Sequence, residues 1–189
     1  MLDTLKGLLQ EQIKDLYSAE SQLVKALPKM AKKATAESLR TAFEGHLQET
    51  KGHADRLTEV ASLLEIKTGG KVCKAMQGLI EESKEVLEET GEDAVIDAAL
   101  IAAAQRVEHY EIAAYTSARS MAEQLGATEV VKLLQATLDE EHTADEKLGD
   151  ISMSEILPAA AAGDEPEEPE AASPRKRTSK VPAGSSRGK

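Results

Sequence analysis

Carboxylate side chains stand in this sequence where the apolar pattern predicts the buried face of a helix. Within residues 105–119, QRVEHYEIAAYTSAR, the acidic residues Glu108 and Glu111 are one helical turn apart. They share a stripe with Ala104, Tyr115 and Ala118, because positions that alternate by four and three lie on one side of a helix. A buried carboxylate is costly unless a positive charge compensates it. The segment therefore predicts bound cations in the core.

The other long helices carry comparable groups at similar depth. The candidates are Glu20 in the first helix, His46, Glu49 and His53 in the second, and Glu141 and Asp145 in the last. Glu49 and His53 are four residues apart, as are Glu141 and Asp145, so each pair points to the same side of its helix. Oxygen and imidazole ligands together suit iron or manganese. We therefore predict a dinuclear iron or manganese site, with these six residues and Glu108 and Glu111 as its ligands.

The helices that must position these groups follow from the apolar periodicity. It predicts helices at residues 2–32, 36–66, 72–89 and 93–125, followed by a last helix that ends near residue 150. Thr35 is the expected N-cap of the second helix, and Gly126 is the expected C-cap of the fourth. The four long helices suit an all-α, up-down four-helix bundle, and the shorter third helix suits the crossover between its two hairpins.

The composition divides the chain into a bundle domain, residues 1–152, and a tail, residues 153–189. The tail is rich in Pro, Gly, Ala and Ser, acidic first and then basic, and we expect it to be disordered. The net charge of -11 argues against nucleic-acid binding by the bundle. The PRKR segment of the tail, residues 174–177, could contact nucleic acid or an acidic partner.

The chain also lacks sequence signals for a membrane or secreted protein. No apolar run is long enough to span a membrane, and the acidic start of the chain does not suit a signal peptide. The single cysteine, Cys73, excludes an internal disulfide and fits the cytoplasm. We expect Cys73 to be a small buried residue of the crossover helix.

The ligand pattern differs from the known dinuclear carboxylate bundle. That architecture takes one Glu from each of two helices and Glu-x-x-His from each of the other two. Here the second helix offers His46-x-x-Glu49 and Glu49-x-x-x-His53, and the last helix has no histidine at the expected offset.

Four separated blocks nevertheless resemble the YciF-type branch of the ferritin-like superfamily over residues 2–150. The blocks are LYSAESQLVKALPKMA, FEGHLQETKGHADRL, CKAMQGLIEE and RVEHYEIAAYTSARSMAEQLG. The resemblance implies a ferritin-like fold, an association with stress, a homodimer, and a dinuclear metal site without a settled activity. It also implies five site residues, namely Glu20, Glu49, Glu108, Glu111 and Glu141. His46, His53 and Asp145 are predicted from spacing alone.

Three hypotheses for function remain open from the sequence. The first is a redox metalloprotein that reacts with peroxide or oxygen at the metal pair. The second is a non-catalytic stress protein whose core carboxylates hold metal structurally or sequester it. The third is a metal-free bundle whose buried acids share protons.

Several single residues also have an ordinary structural interpretation. His46 and His53 suit core histidines bonded to carboxylates as well as they suit ligands. Tyr17 and Tyr115 are expected to pack in the core near the site, whereas His109 and His142 fall off the inner faces and are expected to be exposed.

Overall fold

The computed structural model describes residues 3–163, and this part of the chain contains helices and turns and no strand. The long helices are α1 (Leu5–Lys33), α2 (Glu37–Leu63), α3 (Lys74–Glu88), α4 (Asp93–Gln124) and α5 (Thr128–Ile151). The hairpins α1–α2 and α4–α5 contact each other through α2 against α5 and α1 against α4, and α3 lies against α1 and α4. The predicted four-helix bundle with a crossover helix is confirmed.

The apolar core is divided into two clusters by a polar layer. One cluster includes Met30, Phe43 and Leu100, and the other includes Leu9 and Leu134. Along each long helix of the bundle, the buried charged residues other than Asp97 fall between the stretches that feed these two clusters. Apolar side chains therefore close the polar layer from both ends of the bundle. Within residues 3–163, no helix has the length and apolar character that crossing a bilayer requires.

The connection from α1 to α2 is held by a buried carboxylate of α4. Asp97 accepts hydrogen bonds from the Thr35 backbone nitrogen at 3.0 Å, the Thr35 hydroxyl at 2.7 Å and the Ala36 backbone nitrogen at 2.8 Å. The prediction that Thr35 is the N-cap of α2 is wrong. Ala36 takes that place without a side-chain cap, because Asp97 engages the Thr35 hydroxyl. At the far end of α4, Gly126 follows the last turn with a φ of 67°, a value that favours glycine.

The start of α3 is joined to α1 and α4 by a polar contact at Cys73. The thiol is buried, as predicted, but it also caps α3, accepting from the Met76 backbone nitrogen at 3.5 Å. The Tyr110 hydroxyl donates to Asp15 at 2.9 Å and lies 2.8 Å from the Cys73 sulfur. Because the only hydroxyl proton of Tyr110 goes to Asp15, the thiol is the donor in its contact with Tyr110. These contacts place the crossover helix against the outside of the bundle.

The helical structure continues beyond the predicted end of the domain. After α5 the chain forms a π-helical turn, Ser152–Ile156, and a short helix α6, Leu157–Ala162. Ile156 is buried in the core, and Ser38 donates to Glu155 at 2.6 Å. The tail predicted to begin at residue 153 is thus helical as far as Ala162. The rest of the predicted tail, residues 164–189, lies outside the described residues.

We predict that Asp97→Ala lowers the free energy of unfolding by about 2–4 kcal/mol, because three donors of the α1–α2 connection lose their acceptor inside the protein. Urea unfolding followed by circular dichroism measures the change. Asp55→Ala, the same substitution at an exposed position of α2, serves as the control and should leave stability within about 0.5 kcal/mol. Equal effects of the two substitutions would contradict the assigned role of Asp97.

Candidate metal centre

Six of the eight predicted ligands meet in the polar layer of the bundle. They are Glu20 from α1, His46 and His53 from α2, Glu108 and Glu111 from α4, and Glu141 from α5, and all six are buried. Each takes a position that the four-three spacing of its helix directs inward. Every helix of the bundle therefore contributes at least one acidic or imidazole group to the same layer.

The first group of potential ligands consists of His46, Glu108, Glu111 and Glu141. One nitrogen or oxygen atom from each of them lies within 4.8 Å of the others, close enough for one cation to contact all four. The Nε2 atom of His46 is 3.3 Å from Glu108 Oε1 and 3.8 Å from Glu141 Oε2. This group combines three carboxylates with one imidazole.

The second group consists of Glu20, His53 and Glu141, and its atoms also lie within 4.8 Å of one another. His53 Nδ1 is 3.0 Å from Glu141 Oε1 and 3.6 Å from Glu20 Oε1. Glu20 also accepts a short hydrogen bond from the buried hydroxyl of Tyr115, which lies in the core as predicted. Glu141 belongs to both groups and directs one oxygen toward each histidine, so its carboxylate occupies a bridging position.

Many polar atoms of this layer have no hydrogen-bond partner among the described residues. They include both oxygens of Glu111, both of Glu141, and one oxygen each of Glu20 and Glu108. The inward nitrogens of His46 and His53 also lack an aligned hydrogen bond. Burying such groups without partners is costly, and buried polar atoms are normally satisfied. The arrangement therefore fits cations placed between the side chains.

The outward nitrogen of each histidine contacts a further carboxylate. His46 Nδ1 lies 3.3 Å from Glu49, and His53 Nε2 lies 2.9 Å from Glu140. Glu140 is held in turn by Arg56, whose two terminal nitrogens donate to its two oxygens at 2.9 and 3.1 Å. A carboxylate on the second ring nitrogen orients a histidine and raises its basicity, as in many metal sites. Both imidazoles are thus directed into the layer from outside.

Two predicted ligands lie outside the two groups. The Glu49 side chain is 52% exposed and contacts the outer side of His46. Asp145 accepts from Gln105 Nε2 at 3.0 Å and lies 3.2 Å from His109 Nε2, on the outer side of α4 and α5. His109 and His142 are exposed, as expected, and Tyr17 is partly buried.

Sequence reasoning did not identify Glu140 and Arg56 as parts of the site. Glu140 precedes Glu141, so helical spacing assigns it to the outer face of α5. Its contact with His53 crosses from α5 to α2, and the separation of the two residues in the sequence gives no signal for it.

The ionisation of the layer reflects its burial. Burial raises the pKa of the Glu20, Glu111 and Glu141 carboxyls, and repulsion from neighbouring carboxylates adds to the effect. Burial by itself would lower the pKa of His53, but the carboxylates of Glu141 and Glu20 outweigh it and raise that pKa to about 10. His46 behaves similarly, and Glu108 is the main group that raises its pKa. Without cations, the layer takes up protons instead.

The chain resembles known proteins over most of its length. Residues 4–161 match the family described as Domain of unknown function (DUF892). The protein YciF of Escherichia coli (strain K12) is 46% identical over 156 residues, which are 82% of this chain and 94% of YciF. The crystal structure of the E. coli stress protein YciF matches with a TM-score of 0.79 and 45% identity, over 82% of this chain and 98% of that chain.

A more distant solved structure agrees in fold. The crystal structure of ferritin-like, diiron-carboxylate proteins from Bacillus anthracis matches with a TM-score of 0.62 at 18% identity, over 79% of this chain and 99% of that chain. The ferritin-like fold expected from the sequence is confirmed.

We predict that the metal-free protein loses stability as the pH rises from 6.5 to 10. The pKa of His53 is about 10 in the folded protein, whereas the ordinary value of 6.5 applies to the unfolded chain. The folded protein therefore binds more protons than the unfolded chain over this interval. Its free energy of unfolding then falls with rising pH, and we expect a loss of about 1–3 kcal/mol. Urea unfolding in the presence of a chelator measures it.

The variant His53→Gln provides the control for this pH dependence. Its amide does not titrate in this interval, so the part contributed by the raised pKa of His53 disappears and the loss of stability becomes smaller. A stability of the metal-free wild type that increases over the same interval would rule out the ionisation described here.

Proposed function

The chain belongs to the DUF892 family, and we propose that its bundle binds a dinuclear iron or manganese centre as part of the response to stress. The observation that carries this proposal is the set of unpartnered buried carboxylate oxygens from α1, α4 and α5 that converge with the two imidazoles of α2. Protons alone leave these oxygens poorly satisfied, whereas cations bind them directly. The similarity to the E. coli stress protein supports the link to stress.

The residues of the two groups would hold one ion each. His46, Glu108 and Glu111 would bind the first ion, Glu20 and His53 would bind the second, and Glu141 would contact both. Four inner carboxylates balance the charge of two divalent ions, and mixed oxygen and imidazole ligands suit iron or manganese. When bound, such a pair of ions supplies electron transfer to or from peroxide or oxygen.

The surrounding side chains would support that chemistry in defined ways. The hydroxyl of Tyr115 donates to Glu20 and holds a proton beside the second group. The two apolar clusters exclude water from both ends of the layer, which strengthens each electrostatic contact inside it. The outer carboxylates Glu49 and Glu140 fix the direction of the imidazoles.

A non-catalytic role is the second candidate. The first group already offers four protein side chains within 4.8 Å of one another. Such a group can hold an ion without using an open position for a reacting molecule, which is what distinguishes a structural site from a catalytic one. In this case the protein would hold or sequester metal and act as a stress-related scaffold.

We predict that the wild-type protein, purified without a metal-binding tag and loaded anaerobically, contains about two iron or manganese ions per chain. Glu141→Ala should lose most of this metal, because Glu141 is part of both groups. Asp145→Ala is the matched control on the same helix and should keep it, because Asp145 contacts Gln105 and His109 instead. Elemental analysis of the three proteins gives the comparison.

The reactivity of the loaded protein separates the two candidates. Consumption of peroxide or oxygen that is lost in Glu141→Ala supports the redox function. Bound metal without turnover supports the structural function. Wild-type protein that takes up neither ferrous nor manganous ion would overturn both, and would leave the carboxylates to share protons in the core.

A further inference from the structure

A narrow crevice leads from the surface to the first group of ligands. Glu49, Thr143 and Lys147 stand at its exposed mouth, and the buried His46 and Glu108 form its floor. Its walls are mainly apolar and come from α2 and α5, where they include Phe43 and Ala144. The crevice has a volume of about 100 Å³.

The second group of ligands is closed by comparison. The ion pair between Arg56 and Glu140 lies on the outer side of His53, and Thr137 accepts from Arg56 at 2.5 Å. The His53 side chain is fully buried, whereas the His46 side chain is 8% exposed. Four other cavities formed by the described residues are lined by none of the six inner residues. The two ends of the polar layer therefore differ in their access to solvent.

We propose that this crevice is the route by which metal ions and small inorganic oxidants reach the centre, and that Thr143 and Lys147 limit what passes. The inference rests on the proposed metal-binding function and adds the path and the substrate class. Because His46 and Glu108 form the floor of the crevice, they are the first inner residues that an arriving cation contacts, and it meets an imidazole and a carboxylate together. The ion held at the His46 end is consequently the exchangeable one.

The size of the crevice defines the class of substrate. Pockets that bind organic molecules have volumes of roughly 300–1,000 Å³. A crevice of about 100 Å³ instead accepts molecules of a few atoms, such as dioxygen, hydrogen peroxide or a hydrated metal ion losing its water. The apolar walls favour the passage of small neutral molecules, and the carboxylate of Glu49 at the mouth attracts cations.

The test blocks the mouth without touching the inner ligands. Thr143→Trp places a large side chain at an exposed position whose hydroxyl makes only a local bond, to the Asp139 carbonyl at 2.9 Å. Thr58→Trp is the matched control, because Thr58 is also exposed and also donates to the carbonyl four residues earlier, at Ala54, but does not line the crevice. The chain has no natural tryptophan, so the fluorescence of each variant also reports on its folding.

The measured quantity is the rate at which metal-free protein takes up manganous ion, followed by loss of the free-ion electron paramagnetic resonance signal. We expect Thr143→Trp to slow uptake and chelator-driven release by about tenfold, with an unchanged final stoichiometry, because only the barrier to passage rises. Thr58→Trp should match the wild type. Lys147→Trp should also slow uptake. This substitution removes a positive charge that repels cations, so the loss of charge alone would speed uptake, and slower uptake therefore shows that the bulk of the side chain blocks the crevice.

The possible results distinguish this inference from the proposed function. Wild-type rates in both Thr143→Trp and Lys147→Trp, with normal stoichiometry, would overturn the crevice as the route and leave metal binding intact. Equal slowing in Thr58→Trp would also overturn it, because the effect would then not depend on the crevice. A wild-type protein that binds neither manganous nor ferrous ion would overturn the proposed function and this inference together.

Discussion

The main physical constraint on this structure is the repulsion among four carboxylates buried in one layer of a helical bundle. Glu20, Glu108, Glu111 and Glu141 have almost no contact with solvent, and among residues 3–163 two imidazoles serve as their cationic partners within the layer. Like charges at this distance and depth oppose the association of the helices that carry them. The helices must therefore be held together from outside the layer, and positive charge must be supplied inside it.

The two apolar clusters meet the first of these requirements. They lie on either side of the layer and draw residues from all four helices of the bundle, so burial of apolar surface holds the helices at a fixed distance. Small residues such as Ala19, Ala104 and Ala118 let the backbones approach closely. Contacts at the periphery, from Asp97 to the α1–α2 connection and from Arg56 to Glu140, set the alignment of the helices and of one imidazole.

Most of the fold was predictable because the apolar period of each long helix is unbroken. The inward position of the six buried acidic and imidazole residues was predictable for the same reason, since a carboxylate such as Glu20 in a leucine series must face the core. Prediction from residue spacing failed where the role of a residue depends on the direction of its side chain or on a contact with a residue distant in the sequence. Asp145 has the spacing of a ligand, but its side chain accepts a hydrogen bond from Gln105 instead. The Thr35 hydroxyl donates to Asp97, which is far away in the sequence, and therefore does not cap α2. The prediction ended the bundle at residue 152 because the segment that follows is rich in Pro, Gly, Ala and Ser, yet proline is tolerated in the first turn of α6.

Both imidazoles of the layer belong to α2, and this uneven distribution has a consequence for local motion. A partial opening of α2 away from α1 and α5 would withdraw both imidazoles at once, while the four inner carboxylates stayed on the other helices. Ligand binding that needs the closed state opposes such an opening by mass action. The amide hydrogens of α2 would then be sensitive reporters of the proposed centre, since their exchange with solvent depends on the same opening.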